Sequence, residues 1–166
     1  MWKKMIFLLI TVIWMGFIFF MSSKPAVESS GISEGLGVWL AELLRPDHRG
    51  MPETEWMAYV DVVHTVVRKI AHFTEYALLG VWLAMDVWLW SAGRWRMKHV
   101  LVVSWLAGTL YALSDEFHQM FVEGRSGELF DVMIDSAGVL TGVAFICVVI
   151  RLIWKKMNNN KENISL

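Results

Sequence analysis

The sequence predicts an all-α, polytopic membrane protein: a bundle of four transmembrane helices with an extracytoplasmic amphipathic helix between spans one and two. Of the 166 residues, 56% are hydrophobic and 13% aromatic, more than a soluble domain of this length normally carries. Four apolar segments approach the length that a bilayer requires. All three prolines fall within residues 22–54, so this segment cannot lie in the hydrocarbon. The length fits one domain, residues 1–166.

The first predicted span covers about residues 5–21 and follows a basic start, Lys3 and Lys4. A signal peptide has the same order of features. However, the apolar run is longer than a usual signal core, and Ser22-Ser23 gives no clean small-x-small cleavage site. We therefore favour an uncleaved transmembrane helix.

The segment from Ser22 to about Thr54 contains one amphipathic pattern. Ser33 can cap a helix in which Leu36, Trp39 and Leu43 share one face. Such a helix would rest on the membrane surface or on the bundle, with Trp39 at the headgroup level. The alternative is a mobile lid over a site.

Residues 53–90 form one long helical pattern, of which 68–90 is the second predicted span. Arg68, His72 and Glu75 are spaced i, i+4 and i+7 and share one face. Asp86 returns to that face near the other end, about three turns later. We expect Asp86 to pair with Arg94 or Arg96 rather than to form a proton or ligand path.

The third and fourth predicted spans cover about residues 98–117 and 131–154, followed by a cytoplasmic tail, 155–166. A dense polar stretch, 114–125, lies between them, and Gly124 makes its turn. On the fourth span Asp131 and Asp135 share a face with Gly138-x-x-x-Gly142, a spacing typical of close helix packing. This face should carry both carboxylates into the bundle.

The distribution of basic residues predicts the topology. With four spans, nine of the 15 lysines and arginines fall on the side of the two termini. By the positive-inside rule this side is cytoplasmic. The chain is therefore predicted to be a multi-pass protein of the cell membrane with both termini inside and the polar stretch facing out.

Three helix ends then deliver polar groups to one extracytoplasmic place, where unpaired ionisable groups are costly and usually functional. In one use, arginines bind a phosphate or carboxylate and a His or Glu activates water against a lipid-linked substrate. In another, histidines and carboxylates hold a divalent metal. A structural network that only fixes helix register is the third interpretation. The net charge of −1 gives no sign of a nucleic-acid partner, and the single Cys147 excludes an intramolecular disulfide or a cysteine metal site.

Three blocks of residues are specific in their order and spacing. They are Arg68-Lys69-x-Ala71-His72-Phe73-x-Glu75-Tyr76-x-x-Leu79-Gly80, Asp115-Glu116-x-His118-Gln119-x-Phe121-Val122-x-Gly124-Arg125, and Asp131-x-x-x-Asp135-x-x-Gly138. Together with Ser22-Ser23 they resemble the VanZ-like family of small bacterial membrane proteins. One departure is Glu123, where relatives usually have proline, so the turn before Arg125 is less rigid.

The resemblance implies a cell-envelope protein associated with low-level resistance to the glycopeptide teicoplanin, and it implies no particular reaction. For an enzyme we expect Glu116 as general base, with His72 and His118 as proton carriers or metal ligands. The remaining candidates are Glu75 and Asp115 for catalysis, Arg68, Arg125, Gln119 and Tyr76 for substrate binding, and Asp131 and Asp135 for a metal. The expected partners are the lipid bilayer and a lipid-linked cell-wall precursor or glycopeptide. A module that shields its ligand without turnover and a structural scaffold are the alternatives.

Overall fold

A computed structural model describes the backbone of residues 1–125 and 127–164, and their side chains except those of 26–34, 158 and 160–164. All regular elements of the described chain are helices, and it contains no strands. Its elements are α1 (Trp2–Ser22), α2 (Ala26–Leu44), a 3₁₀ turn (His48–Gly50), α3 (Glu53–Trp90), α4 (Met97–Gln119) and α5 (Leu129–Ile164).

Three helices are long and apolar enough to cross a membrane: Trp2–Ser22, Met97–Gln119 and Leu129–Met157. They coincide with the first, third and fourth predicted spans to within a few residues. α3 forms as one continuous helix over the predicted bounds, but it is not among these three. Glu75 and Asp86 lie in the apolar half of α3 and lower its mean hydropathy.

α3 lies at the centre of the fold and contacts every other helix. Its closest neighbour is α5, because glycines remove the side chains between them. A Cβ on Gly142 would overlap the Ala77 carbonyl, and one on Gly138 would overlap the Phe73 carbonyl. The predicted close packing of the Gly138-x-x-x-Gly142 face is thus confirmed, with α3 as the partner.

α2 differs from the prediction in where it begins. The helix starts after Pro25, at Ala26, rather than at Ser33. Gly37 and Ala41 are buried, and Gly37 lies against His64 of α3. Leu36, Trp39 and Leu43 are exposed, so the predicted apolar face points away from the bundle.

The bundle has two distinct ends. We call the end at which α1 and α4 finish and α5 begins the cluster end. We call the end at which α1 begins and the loop of residues 91–96 joins α3 to α4 the basic end. Near the basic end Thr11 donates a hydrogen bond to Asp86, 2.6 Å between oxygens. The expected pairing of Asp86 with Arg94 or Arg96 is wrong, since no ion pair among the described residues joins Asp86 to either arginine, and Arg94 Nε donates to the Ser91 carbonyl. α5 continues past the predicted end of the span, to Ile164.

Candidate functional site

The site lies at the cluster end, where α1, α3, α4 and α5 converge. The structure brings together most of the predicted residues through hydrogen bonds, ion pairs and charge interactions. We call this set the carboxylate cluster: Arg68, His72, Glu75, Asp115, Glu116, Gln119, Arg125, Asp131 and Asp135.

Asp115 is the centre of this cluster and is 1% exposed. Its Oδ2 accepts hydrogen bonds from Ser22 Oγ at 2.7 Å, Tyr76 Oη at 3.1 Å and Gln119 Nε2 at 3.3 Å. The donors come from α1, α3 and α4. One carboxylate oxygen therefore joins three helices, while Oδ1 is buried without a described partner.

Glu116 and Gln119 connect α4 to the loop that follows it. Glu116 Oε1 accepts from Gln119 Nε2 at 3.1 Å, and Oε2 accepts from the Glu128 backbone N–H at 3.1 Å. The amide oxygen of Gln119 accepts from Arg125 Nη1 at 3.3 Å. The loop thus closes over the end of α4, where a Cβ on Gly127 would lie 2.7 Å from the Glu116 carbonyl oxygen.

Arg125 is held at the edge of the cluster by hydrogen bonds and forms no ion pair with a described residue. Gly124, with φ +73°, adopts the left-handed conformation that the predicted turn requires. Arg125 Nε donates to the Lys24 carbonyl at 3.3 Å, which ties the loop to the end of α1. Burial lowers the pKa of the Arg125 guanidinium, and the charge of Arg68 lowers it further, whereas Glu116 and Asp115 raise it. The guanidinium stays protonated at neutral pH.

His72 faces Asp135 across the contact between α3 and α5. The two lie 3.9 Å apart, from Nδ1 to Oδ1, which is beyond hydrogen-bond distance. Asp135 is fully buried, and neither of its oxygens has a hydrogen-bond partner among the described residues. Glu75 interacts electrostatically with both Asp115 and Asp135. This corner therefore holds carboxylates that the protein itself leaves poorly neutralised.

Asp131 is neutralised differently, by Lys69 of α3. The Lys69 ammonium forms an ion pair with Asp131 and also lies 4.9 Å from the centre of the Phe130 ring. Among the described residues, no group of three or more His, Cys, Asp or Glu is arranged to hold a metal ion. Asp131 and Asp135 remain predicted metal ligands that the geometry does not support, and we propose no metal here.

Two predicted candidates lie in other surroundings than expected. The ring of His118 lies against Phe19 of α1, with centroids 4.3 Å apart, and its Nδ1 is buried without a described partner. Tyr76 is fully buried, and its hydroxyl donates to Asp115. Tyr76 thus supports the site from inside the bundle rather than meeting a ligand at its surface.

Two contributors to the site were not predicted as such from the sequence. Ser22 donates to Asp115, and Lys69 pairs with Asp131. Both belong to the residue patterns that resemble the family, Ser22 as part of Ser22-Ser23 and Lys69 beside Arg68. These patterns were the only signal, because a serine at a helix end or a lysine at a membrane surface is otherwise unremarkable.

Fold and site together define a helical membrane protein with a hydrogen-bonded carboxylate and arginine cluster at one end of its bundle. A family model described as VanZ/LLP1 matches residues 7–152. The chain therefore belongs to the VanZ-like family, and the match runs from within α1 to within α5. No curated protein and no solved structure matches the chain.

Proposed function

We propose that the protein is a multi-pass protein of the cell membrane with α3, from about residue 68, as a fourth span. α3 packs against all three helices of membrane-spanning length, so a bilayer that contains those helices would also surround α3. The excess of cations at the basic end supports a cytoplasmic position for both termini. The carboxylate cluster would then face the extracytoplasmic side.

An uncleaved α1 is part of this proposal. Ser22 and Thr11 of α1 donate to Asp115 and Asp86, and both carboxylates are buried. Removal of α1 as a signal peptide would take the hydroxyl partner from each of them, which is costly for a buried polar group.

α2 would lie at the extracytoplasmic surface. Its exposed apolar residues, Leu36, Trp39 and Leu43, would rest in the membrane interface, while Gly37 keeps it in contact with α3. A lid over the cluster is the other use of this helix.

At the cluster end, we propose that Arg68 and Arg125 bind an anionic group of an envelope molecule. One observation carries this proposal: neither arginine forms an ion pair with any carboxylate among the described residues. Two of the nearby carboxylates, Asp115 and Glu116, instead accept hydrogen bonds from Ser22, Tyr76, Gln119 and a backbone N–H. Two planar guanidinium groups in one place are suited to a phosphate, which both can contact in bidentate fashion.

A lipid-linked ligand fits the surroundings of the two arginines. Phe117, Met120 and Phe121, at the end of α4, expose 61%, 60% and 75% of their surface. These side chains would lie where apolar tails meet polar headgroups. Binding of a lipid-linked cell-wall precursor at this depth would change its availability to glycopeptides, which would account for an effect on susceptibility to teicoplanin.

The experiment is mass spectrometry of lipids that copurify with the full chain and with Arg68→Lys. Lysine keeps the positive charge but lacks the planar guanidinium group that can contact a phosphate in bidentate fashion. We therefore expect about tenfold less bound ligand. Arg49→Lys is the matched control, because Arg49 is an exposed arginine of the 3₁₀ turn away from the cluster. Unchanged ligand content in Arg68→Lys would contradict the proposal.

Turnover of the bound molecule is the second candidate function, and the position of His72 opposite the buried Asp135 favours it. A buried carboxylate facing one ring nitrogen can orient a histidine whose other nitrogen takes a proton from water. Glu116, the predicted general base, already accepts two hydrogen bonds, which favours a positioning role for it. In the same experiment His72→Gln would accumulate a species that the wild type converts; an identical ligand in both would support binding without turnover.

A further inference from the structure

A second polar site lies at the basic end, far from the carboxylate cluster. It is a cavity of about 660 Å³ between the end of α3, the loop that follows it and α5. No acidic residue is among the described residues that line it. The cations that line it are Arg94, Arg96, Arg151 and Lys155.

The shape of this cavity is set by packing. Trp88 and Trp154 contribute to its wall and meet edge to face, with ring centroids 5.4 Å apart. Gly93, with φ +70°, lets the loop turn back over them; a Cβ there would lie 3.5 Å from the Trp88 ring and 3.7 Å from the Trp154 ring. Ser91 fixes the start of the loop by donating to the Trp88 carbonyl at 2.9 Å. The loop therefore presents its arginines from a defined position.

The positive charge of this cavity is not neutralised by the described part of the chain. Among the described residues the ion pairs are Arg45–Glu55, Lys69–Asp131 and His72–Asp135. None of them involves a cation that lines the cavity. Arg94 uses its Nε for the Ser91 carbonyl at 3.2 Å, which leaves the rest of its guanidinium available. Four like charges around one space repel one another, so an anion within it would be stabilised.

An apolar cavity of about 510 Å³ adjoins the basic one, and the same Trp88 and Trp154 line both. Its other walls come from the apolar sides of α3 and α5, including Met85, Leu89 and Ile150. A free phosphate would use only the basic cavity. A molecule with an anionic head and an acyl chain would use both.

We propose that these two cavities bind one anionic glycerophospholipid, with its phosphate among the cations and an acyl chain between α3 and α5. Basic pockets between membrane helices are suited to anionic headgroups, and tryptophans prefer the level at which headgroup and acyl chain meet. The site is independent of the proposed function of the carboxylate cluster.

The test is native mass spectrometry of the full-length protein, titrated with phosphatidylglycerol and with phosphatidylcholine. We expect phosphatidylglycerol to bind at least fivefold more tightly, and Arg151→Gln to weaken its binding about fivefold, the effect of one basic residue near an anionic headgroup. Lys98→Gln is the matched control, because Lys98 is an exposed cation at the same end that does not line the cavity.

Two further variants, together with glycerol 3-phosphate as a ligand without acyl chains, identify the class of ligand. Ile150→Trp would fill the apolar cavity and should weaken phosphatidylglycerol binding while leaving binding of glycerol 3-phosphate unchanged. Arg151→Lys should retain most of the affinity, which separates loss of charge from misfolding. Equal binding of the two lipids, an unchanged affinity in Arg151→Gln, or glycerol 3-phosphate binding as tightly as the lipid would each overturn the proposal.

Discussion

Asp115 and Asp86 are two buried aspartates that α1 contacts in the same way, through a hydroxyl group. Ser22 donates to Asp115 at the cluster end, and Thr11 donates to Asp86 near the basic end. Beyond this contact they differ. Asp115 also accepts from Tyr76 and Gln119, whereas Thr11 is the one donor to Asp86 among the described residues.

The difference shows how one kind of contact serves two purposes. The pair of Thr11 and Asp86 fastens α1 to α3, and its other described contact is local, from Thr11 Oγ1 to the Phe7 carbonyl of α1 itself. Asp115 joins three helices, and through Gln119 it is linked to Arg125. We therefore expect changes at Asp86 to affect stability alone, and changes around Asp115 to affect stability and ligand binding together.

The largest expected effect is that of Asp115→Ala. Its loss leaves the Ser22 and Tyr76 hydroxyls without their acceptor inside the bundle, and we expect the free energy of unfolding to fall by about 3 kcal/mol. Asp86→Ala should cost only about 1 kcal/mol, because Thr11 Oγ1 also lies 3.1 Å from the Phe7 carbonyl, an alternative acceptor. Thermal unfolding of both variants in one detergent measures the difference. Equal destabilisation of the two variants would contradict the expected difference between Asp115 and Asp86.

The second prediction uses the two hydroxyls themselves. Ser22→Ala removes one of three hydrogen bonds to Asp115, worth about 1.5 kcal/mol, whereas Thr11→Val removes the one described donor to Asp86, so the unfolding temperature of Thr11→Val should fall by at least as much. Only Ser22→Ala should also reduce the amount of lipid that copurifies with the cluster end, since only Ser22 touches the network that carries Arg125. Loss of ligand in Thr11→Val to the same degree would mean that ligand content follows stability rather than the site.

Much of the fold could be predicted from the sequence, because each long helix carries a local signal. The bounds of α3 and the three membrane-length helices follow from apolar periodicity, and the close approach of α5 follows from Gly138 and Gly142. The start of α2 was missed, since the helix begins directly after Pro25 and the apolar pattern appears only later. The orientation of its apolar face, away from the bundle, depends on how α2 meets α3, which no local pattern reveals.

The candidate site was predictable in its membership but not in its internal connections. Spacing along α3, α4 and α5 indicated which polar residues share a face. Spacing along one helix cannot show a partner on another, so Ser22 with Asp115 and Thr11 with Asp86 were not foreseen. The same reason explains His118, whose neighbour Phe19 belongs to α1.

The smallest expected effect on stability, and the sharpest separation of roles, comes from Glu116→Gln. A glutamine can accept from Gln119 or from the Glu128 N–H with its one oxygen, so one of the two hydrogen bonds is lost, at about 1 kcal/mol. If Glu116 positions the loop, ligand content should fall partially, in step with a weaker hold on Arg125. If Glu116 is instead the general base, ligand should accumulate unconverted at the same small cost in stability. Glu123→Gln is the matched control, an exposed glutamate of the same loop, and it should leave both stability and ligand content unchanged.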